Sequence, residues 1–251
     1  MSGHSKWSSI KHKKGAADAK RGALFTKLTR AITVAAREGG GEIDGNPSLA
    51  LAVQKAKDAS MPKDNIERAV NKGTGADQDA DAFERIVYEG YGPGGVALLV
   101  DALTDNRNRT GSDVRHTFSK FGGNLGEPGS VNYMFEKKGE LLVDASLYSE
   151  DDLMGAIDAG AEDVSQDGDV FEVITDPSDF AAVRAALEEA GVQLRDAGVN
   201  MRPNVRTQVA ESDAGTLMRL IDALEENDDV QSVNGNFDVD DEVMERVAAS
   251  T

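Results

Sequence analysis

Apolar positions change period along the chain, and the changes divide it. From about Ala16 the apolar residues recur at helical spacing: Leu24, Phe25, Leu28, Ile32 and Ala35 fall within roughly a third of a helical wheel, with Lys20, Lys27, Arg30 and Arg37 on the adjoining face. Gly39, Gly40 and Gly41 are placed to end this helix. Asn46 followed by Pro47 predicts an N-cap and first turn, with Leu49, Val53 and Ala56 on one side of the helix that follows. A third, short helix starts at Pro62, runs through Ile66 and Val70, and is expected to close at Gly73. Gly73 to Asp81 then reads as a linker.

Beyond the linker the period becomes that of strands. Arg85 to Tyr91 and Val96 to Asp101 are β-prone runs joined by Gly92, Pro93, Gly94 and Gly95. A helix over about Thr110 to Phe121 and a strand over Val131 to Phe135 follow. From Gly139 the predicted order is strand Glu140 to Asp144, helix Ser149 to Ala159, strands Glu162 to Ser165 and Val170 to Thr175, helix Pro177 to Ala190, and strand Val192 to Met201. That βαββαβ order is ferredoxin-like, with Asp167 and Gly168 turning the hairpin and Asp176 placed to cap the second helix. After Asn204 come a strand, a helix over about Ser212 to Glu226 with Leu217, Leu220, Ile221 and Leu224 on one face, and a strand over Val230 to Phe237.

This tail is too small to bury a core alone, and the segment from Phe83 to Phe135 lacks a second covering helix. The two complete each other if the ferredoxin-like unit is inserted between them. The expected fold is therefore α+β in three domains: residues 1–75, an arm and three-helix bundle; 82–136 with 204–245, an α/β domain in two segments; and 138–203, the inserted unit.

Charge changes the picture at one end. Met1 to Arg37 holds nine basic residues and one acid, a net +8, so against −18 for the whole chain the remainder carries −26. An acidic body wearing a basic arm calls for a polyanionic partner. Lys and Arg gain affinity for phosphate by displacing condensed counterions, and Trp7, flanked by His4 and His12, can stack on unpaired bases. Lys6, Lys11, Lys13, Lys14, Lys20, Arg21, Lys27 and Arg30 would supply the phosphate contacts. The alternative is a solvated tail, which a chain this acidic does not need for solubility. A second candidate is the loop Asp105, Asn106, Arg107, Asn108, Arg109 and Thr110 at a helix N-terminus, where the two arginines and two asparagines suit phosphate and base edges. The same residues are also ordinary turn formers, and either arginine can pair with a local acid.

Other chemistry finds little footing. With no cysteine there is no disulfide, zinc-thiolate site or thiol nucleophile. No run of 18 apolar residues marks a membrane span, so no membrane partner is expected, and the cytoplasm is the expected compartment. The glycines at 90, 92, 94 and 95 join two strands, where a dinucleotide loop needs a strand-to-helix turn. His116 lacks an i, i+4 metal-binding partner, and Asp238, Asp240, Asp241 and Glu242 lack the glycine and terminal glutamate of a calcium loop; they read as a solvated tail. No metal, cofactor or catalytic constellation is expected.

Ser2 to Trp7, Ile10 to Lys14, Asp18 to Arg21 and Phe25 to Lys27 resemble the opening of the YebC/PmpR family, which includes the mitochondrial translational activator of cytochrome oxidase subunit I. Pro62 to Ile66, Tyr88 to Gly95, Leu103 to Arg109, Gly122 to Leu125 with Gly129 to Val131, and Ile221 to Leu224 with Asp228 to Gln231 are similar to further blocks of that family. The sequence departs from it at Val233 to Asn236, where many members carry an aromatic or a histidine. The resemblance implies the three-domain layout and a non-enzymatic, nucleic-acid-binding regulator of gene expression. It implies either a factor at the ribosome, contacting rRNA or tRNA and relieving stalls such as those at proline-rich stretches, or a DNA-binding transcriptional regulator at promoters.

Overall fold

The computed structural model describes residues 17–75 and 83–250, apart from the side chains of residues 17–20, 241 and 250. The linker expected between Gly73 and Asp81 lies largely outside the described residues.

Three helices form the N-terminal bundle: α1 (Ala17–Gly39), α2 (Pro47–Asp58) and α3 (Lys63–Thr74). Leu28, Ile32, Leu49, Val53, Ile66 and Ala69 make its core, whereas Leu24, expected to pack with them, is 43% exposed. Asn46 both ends one helix and starts the next. Its Oδ1 accepts from the Leu49 N–H at 3.1 Å while its Nδ2 donates to the carbonyls of Ala35 and Gly40, each at 2.8 Å. Gly73 does not close α3, which runs one residue further, to Thr74. A Cβ at Gly73 would sit 2.4 Å from the Thr33 carbonyl oxygen and 2.7 Å from the Ala36 Cβ, so this glycine allows α1 and α3 to touch.

The second domain begins with β1 (Glu84–Tyr91) and β2 (Ala97–Thr104), an antiparallel hairpin closed by a 3-10 turn at Pro93–Gly95 in which Gly94 and Gly95 both have φ of +74°. Helix α4 (Arg107–Lys120) and β3 (Asn124–Leu125) follow. Residues 132–134 form a 3-10 turn where the sequence suggests a strand. The chain then enters the inserted domain through β4 (Phe135–Asp144), a single strand that continues through the charged stretch Glu136 to Lys138.

The inserted domain continues with α5 (Met154–Asp158), β5 (Ala161–Asp167), β6 (Val170–Thr175), α6 (Phe180–Glu189) and β7 (Leu194–Pro203). Its antiparallel sheet has the order β5-β6-β4-β7, the ferredoxin-like arrangement. Leu141, Val143 and Val173 face Leu153, Ala156, Phe180, Val183 and Leu187 from the helical layer. The first helix is shorter than its sequence suggests, a 3-10 turn at Asp151–Leu153 leading into α5. Asp176 does not cap α6. It accepts from the Ser178 N–H and hydroxyl, and Asp179 occupies the cap position.

The return segment holds β8 (Thr207–Gln208), α7 (Glu211–Glu225), β9 (Val230–Gly235), β10 (Phe237–Asp238) and α8 (Asp241–Ser250). Strand β9 pairs with β2, completing a sheet of order β3-β1-β2-β9 from both sides of the insertion. Leu98, Val100, Phe118, Leu217, Ile221 and Val233 form the core between this sheet and helices α4 and α7. Asn236 stitches the two segments: its Oδ1 accepts from the Ala97 N–H at 2.8 Å and its Nδ2 donates to Thr207 Oγ1 at 3.1 Å. The acidic residues read as a solvated tail lead instead into α8, whose Val243, Met244 and Ala248 join the core.

Polar contacts hold the bundle to both other domains. Arg184 of α6 makes a two-pronged pair with Asp58 of α2, both at 2.9 Å. Lys55 lies against Gly198 of β7, where burial lowers its pKa although Asp196 and Asp101 draw it upward. No described helix is long and apolar enough to cross a membrane.

Candidate nucleic-acid interface

The two basic features singled out in the sequence meet at one carboxylate. Asp229 sits just before β9, in a turn set by its own N–H donating to Asn227 Oδ1 at 2.9 Å and by its carbonyl accepting from the Leu103 N–H at 2.8 Å. Its side chain is 6% exposed. Oδ1 accepts from Arg30 Nη1 at 2.6 Å, and Oδ2 from Arg109 Nη2 at 2.8 Å, Thr110 Oγ1 at 2.5 Å and Thr104 Oγ1 at 3.2 Å. Burial by itself would raise the Asp229 pKa. The donors, Thr110 first, then Arg109 and Arg30, outweigh it and hold the carboxyl below the ordinary value of 3.8. In return Asp229, and after it Asp105, raise the pKa of Arg109.

Arg30 comes from α1 and reaches across the domain boundary. Its Nη1 also donates to the carbonyls of Leu103 at 3.2 Å and Asp228 at 2.9 Å, and its guanidinium lies 4.9 Å from the centre of the Phe83 ring. Lys27, one turn earlier, donates to the Glu225 carbonyl. These two cations, expected to meet phosphate, dock α1 onto the second domain. Arg21 and Arg37 on the same helix are exposed. His4, Lys6, Trp7, Lys11, His12, Lys13 and Lys14 lie outside the described residues, as does the side chain of Lys20.

The loop at the start of α4 is built by short side chains. Thr104 Oγ1 accepts from the Asn106 N–H at 2.9 Å, and Asn106 Oδ1 accepts from the Arg109 N–H at 3.1 Å, so Asn106 serves as the helix cap. Arg109 pairs with Asp105 at 2.7 Å as well as with Asp229. Arg107 and Asn108 are exposed, and the Tyr88 hydroxyl lies 3.5 Å from the Arg107 carbonyl. All four residues from Asn106 to Arg109 are exposed, but Asn106 and Arg109 also build the loop, whereas Arg107 makes no ion pair among the described residues.

Sequence reasoning placed Thr110 at the end of the candidate loop but missed Asp229 and Thr104 as its partners. Asp229 lies more than a hundred positions from both threonines, beyond any local pattern; the signals were the family-like blocks Leu103 to Arg109 and Asp228 to Gln231. The buried Glu89 is structural too. Burial would raise its pKa, but N–H donors from Gly129, Val131 and Asn132 at 2.6, 2.7 and 2.8 Å lower it. No group of three His, Cys, Asp or Glu side chains among the described residues could hold a metal ion.

Comparison with known proteins supplies the family. A model described as the TACO1/YebC protein N-terminal domain matches residues 5–76, and one described as the TACO1/YebC second and third domain matches residues 83–237. A protein of Rubrobacter xylanophilus named "Probable transcriptional regulatory protein" is 62% identical over 249 residues, covering 99% of this chain and 100% of that one. A protein of Streptomyces coelicolor with the same type of name is 52% identical over 250 residues, covering 99% and 100%. The crystal structure of a conserved hypothetical protein from Aquifex aeolicus superposes with a TM-score of 0.80 at 47% identity, covering 89% of this chain and 93% of that chain. With both models spanning nearly the whole length and the three-domain fold in place, the chain belongs to the TACO1/YebC family.

Proposed function

We propose that this protein is a non-enzymatic, nucleic-acid-binding regulator of gene expression that acts at the ribosome, contacting ribosomal RNA or bound tRNA and relieving stalled synthesis, for example at proline-rich stretches. One observation carries the reading: Arg30 of α1 and Arg109 of α4 share the Asp229 carboxylate. The helix that continues from the basic arm is thereby held beside the loop that exposes Arg107 and Asn108. Exposed Arg21 of that helix and Arg107 of the loop would meet one polyanion together with the cations of the arm that precedes α1, while Lys27, Arg30, Asn106 and Arg109 hold helix and loop in place. The remaining body, at −26, is repelled by RNA everywhere else, so the field orients docking as well as driving it.

A second reading, a DNA-binding regulator at promoters, draws support from the names that the relatives carry. Without cysteine there is no zinc finger to read a groove. Ribosome co-sedimentation from one lysate, set beside binding to promoter fragments and scrambled controls over a salt series, separates the two. The ribosomal reading expects co-sedimentation that disappears on deleting residues 2–14, and DNA binding indifferent to sequence. A promoter preference above about a thousandfold overturns it. With about six arm cations on duplex phosphate, the log–log salt slope is about −5.

A further inference from the structure

The inserted domain, residues 138–203, carries sixteen acidic residues against four basic ones, yet part of its surface is apolar. Leu153 and Ala156 face inward and are fully buried, whereas Met154 and Ile157, on the outer side of the same turns, are 55% and 44% exposed. The outer side of a helix covering a sheet is ordinarily polar. Met154 and Ile157 instead line a groove of about 210 Å³ between α5 and β5, completed by Val164 and edged by Glu150, Glu162 and Asp163. Lys138 neutralises Glu162 at 2.9 Å. Glu150 and Asp163 make no ion pair among the described residues.

From this combination we infer that the groove docks a cationic amphipathic segment of a partner protein. Apolar side chains three or four residues apart on the segment would rest on Met154 and Ile157, and its flanking Lys or Arg would meet Glu150 and Asp163. The charge selects this occupant over the others. Nucleic acid and anionic lipid are repelled by the rim, and a second copy of the chain would bring together two inserted domains each at −12. The groove is small, so the interaction is weak by itself and gains from a second attachment elsewhere on the partner. The inference stands independently of which nucleic acid that face binds.

The test uses the full chain and two labelled synthetic peptides of about fourteen residues: a Lys/Leu peptide with helical apolar spacing and a Lys/Ser peptide of equal charge. Anisotropy at about 0.15 M salt reads binding. The Lys/Leu peptide is expected to bind at least about tenfold more tightly than the Lys/Ser peptide. Met154→Ser with Ile157→Ser should erase that difference. Glu150→Gln with Asp163→Asn should weaken both peptides several-fold, and Glu226→Gln with Glu245→Gln, the same charge change on the second domain, should do neither. Because the Glu150/Asp163 variant leaves the apolar surface intact, it tests the rim even where the serine variant fails to fold. Equal binding of the two peptides, or indifference to both groove variants, overturns the inference. So does tighter Lys/Leu binding after deletion of residues 2–14, which would assign the groove to the chain's own arm, or a dimer that the serine variant dissociates.

Discussion

Arg30 and Asp229 stand 199 positions apart in sequence and 2.6 Å apart in space, and their pairing is what gives the basic helix a fixed attitude on the acidic body. Asp229 is nearly enclosed, so removing it takes the counter-charge from Arg30 and Arg109 and an acceptor from two threonine hydroxyls. Asp229→Ala is expected to cost about 3 kcal/mol, the range for breaking a buried ion pair, measured as a shift in the urea midpoint. Arg30→Ala paired with Asp229→Ala should cost less than the two single changes together, because the lone charge left behind by either one is absent from the double variant.

The same carboxylate sets an acid limit. Its native pKa is depressed below the unfolded value of 3.8, so its contribution is complete above about pH 5 and is lost as pH falls through the native pKa. Glu89, depressed in the same direction by three backbone donors, adds to the effect. At pH 7 Glu89→Gln should lower stability by about 2 kcal/mol, since an amide nitrogen would face N–H donors that need an acceptor. Unfolding curves from pH 7 to pH 3 check the sign: the gap between wild type and either Glu89→Gln or Asp229→Asn narrows on acidification. A gap that widens would contradict the assignment.

What could be read in the sequence followed from local rules. Asn46 with Pro47, the paired glycines of the β1-β2 hairpin and the βαββαβ order each depend on neighbours within a few positions, and the structure keeps them. Errors arose where tertiary packing overrode local signals. Helix α8 was hidden behind Asp238 to Glu242, although Val243, Met244, Val247 and Ala248 already had the spacing of a packed face. Strand β4 runs through Glu136, Lys137 and Lys138 because it pairs with β7 there, a partner more than sixty residues on in the chain. At the candidate site both basic segments were visible, but the carboxylate uniting them was not, since nothing local distinguishes Asp229 from Asp228.

Two glycines make opposite predictions. At Gly22 in α1 an added Cβ would meet no atom within 4 Å, so Gly22→Ala should stabilise by about 0.5–1 kcal/mol through helix propensity alone. Gly73 in α3 would place its new methyl 2.4 Å from the Thr33 carbonyl oxygen. Gly73→Ala gains the same propensity but must push α1 and α3 apart, with overpacking costs of about 1–3 kcal/mol, so its net effect is destabilising. Thermal melts of both variants read the two signs, and a stabilising Gly73→Ala would show that the helices have room to separate.

Arg107 and Arg109, two positions apart on the same loop, separate binding from architecture. Arg107 is exposed and touches no acid at ion-pair distance among the described residues, whereas Arg109 bridges Asp105 and Asp229. Arg107→Ala should leave the melting temperature unchanged, weaken RNA binding several-fold and reduce the magnitude of the salt slope by about 0.7–0.9, the contribution of one phosphate contact. Arg109→Ala should lower the melting temperature and weaken binding, because Asp229 loses one of its two cations and the loop loses the tie that holds Arg107 outward. Filter binding to ribosomal RNA over a salt series, with a melt on each variant, distinguishes them. Arg107→Ala binding as tightly as wild type would remove the loop from the interface and leave the arm and α1 to carry it alone.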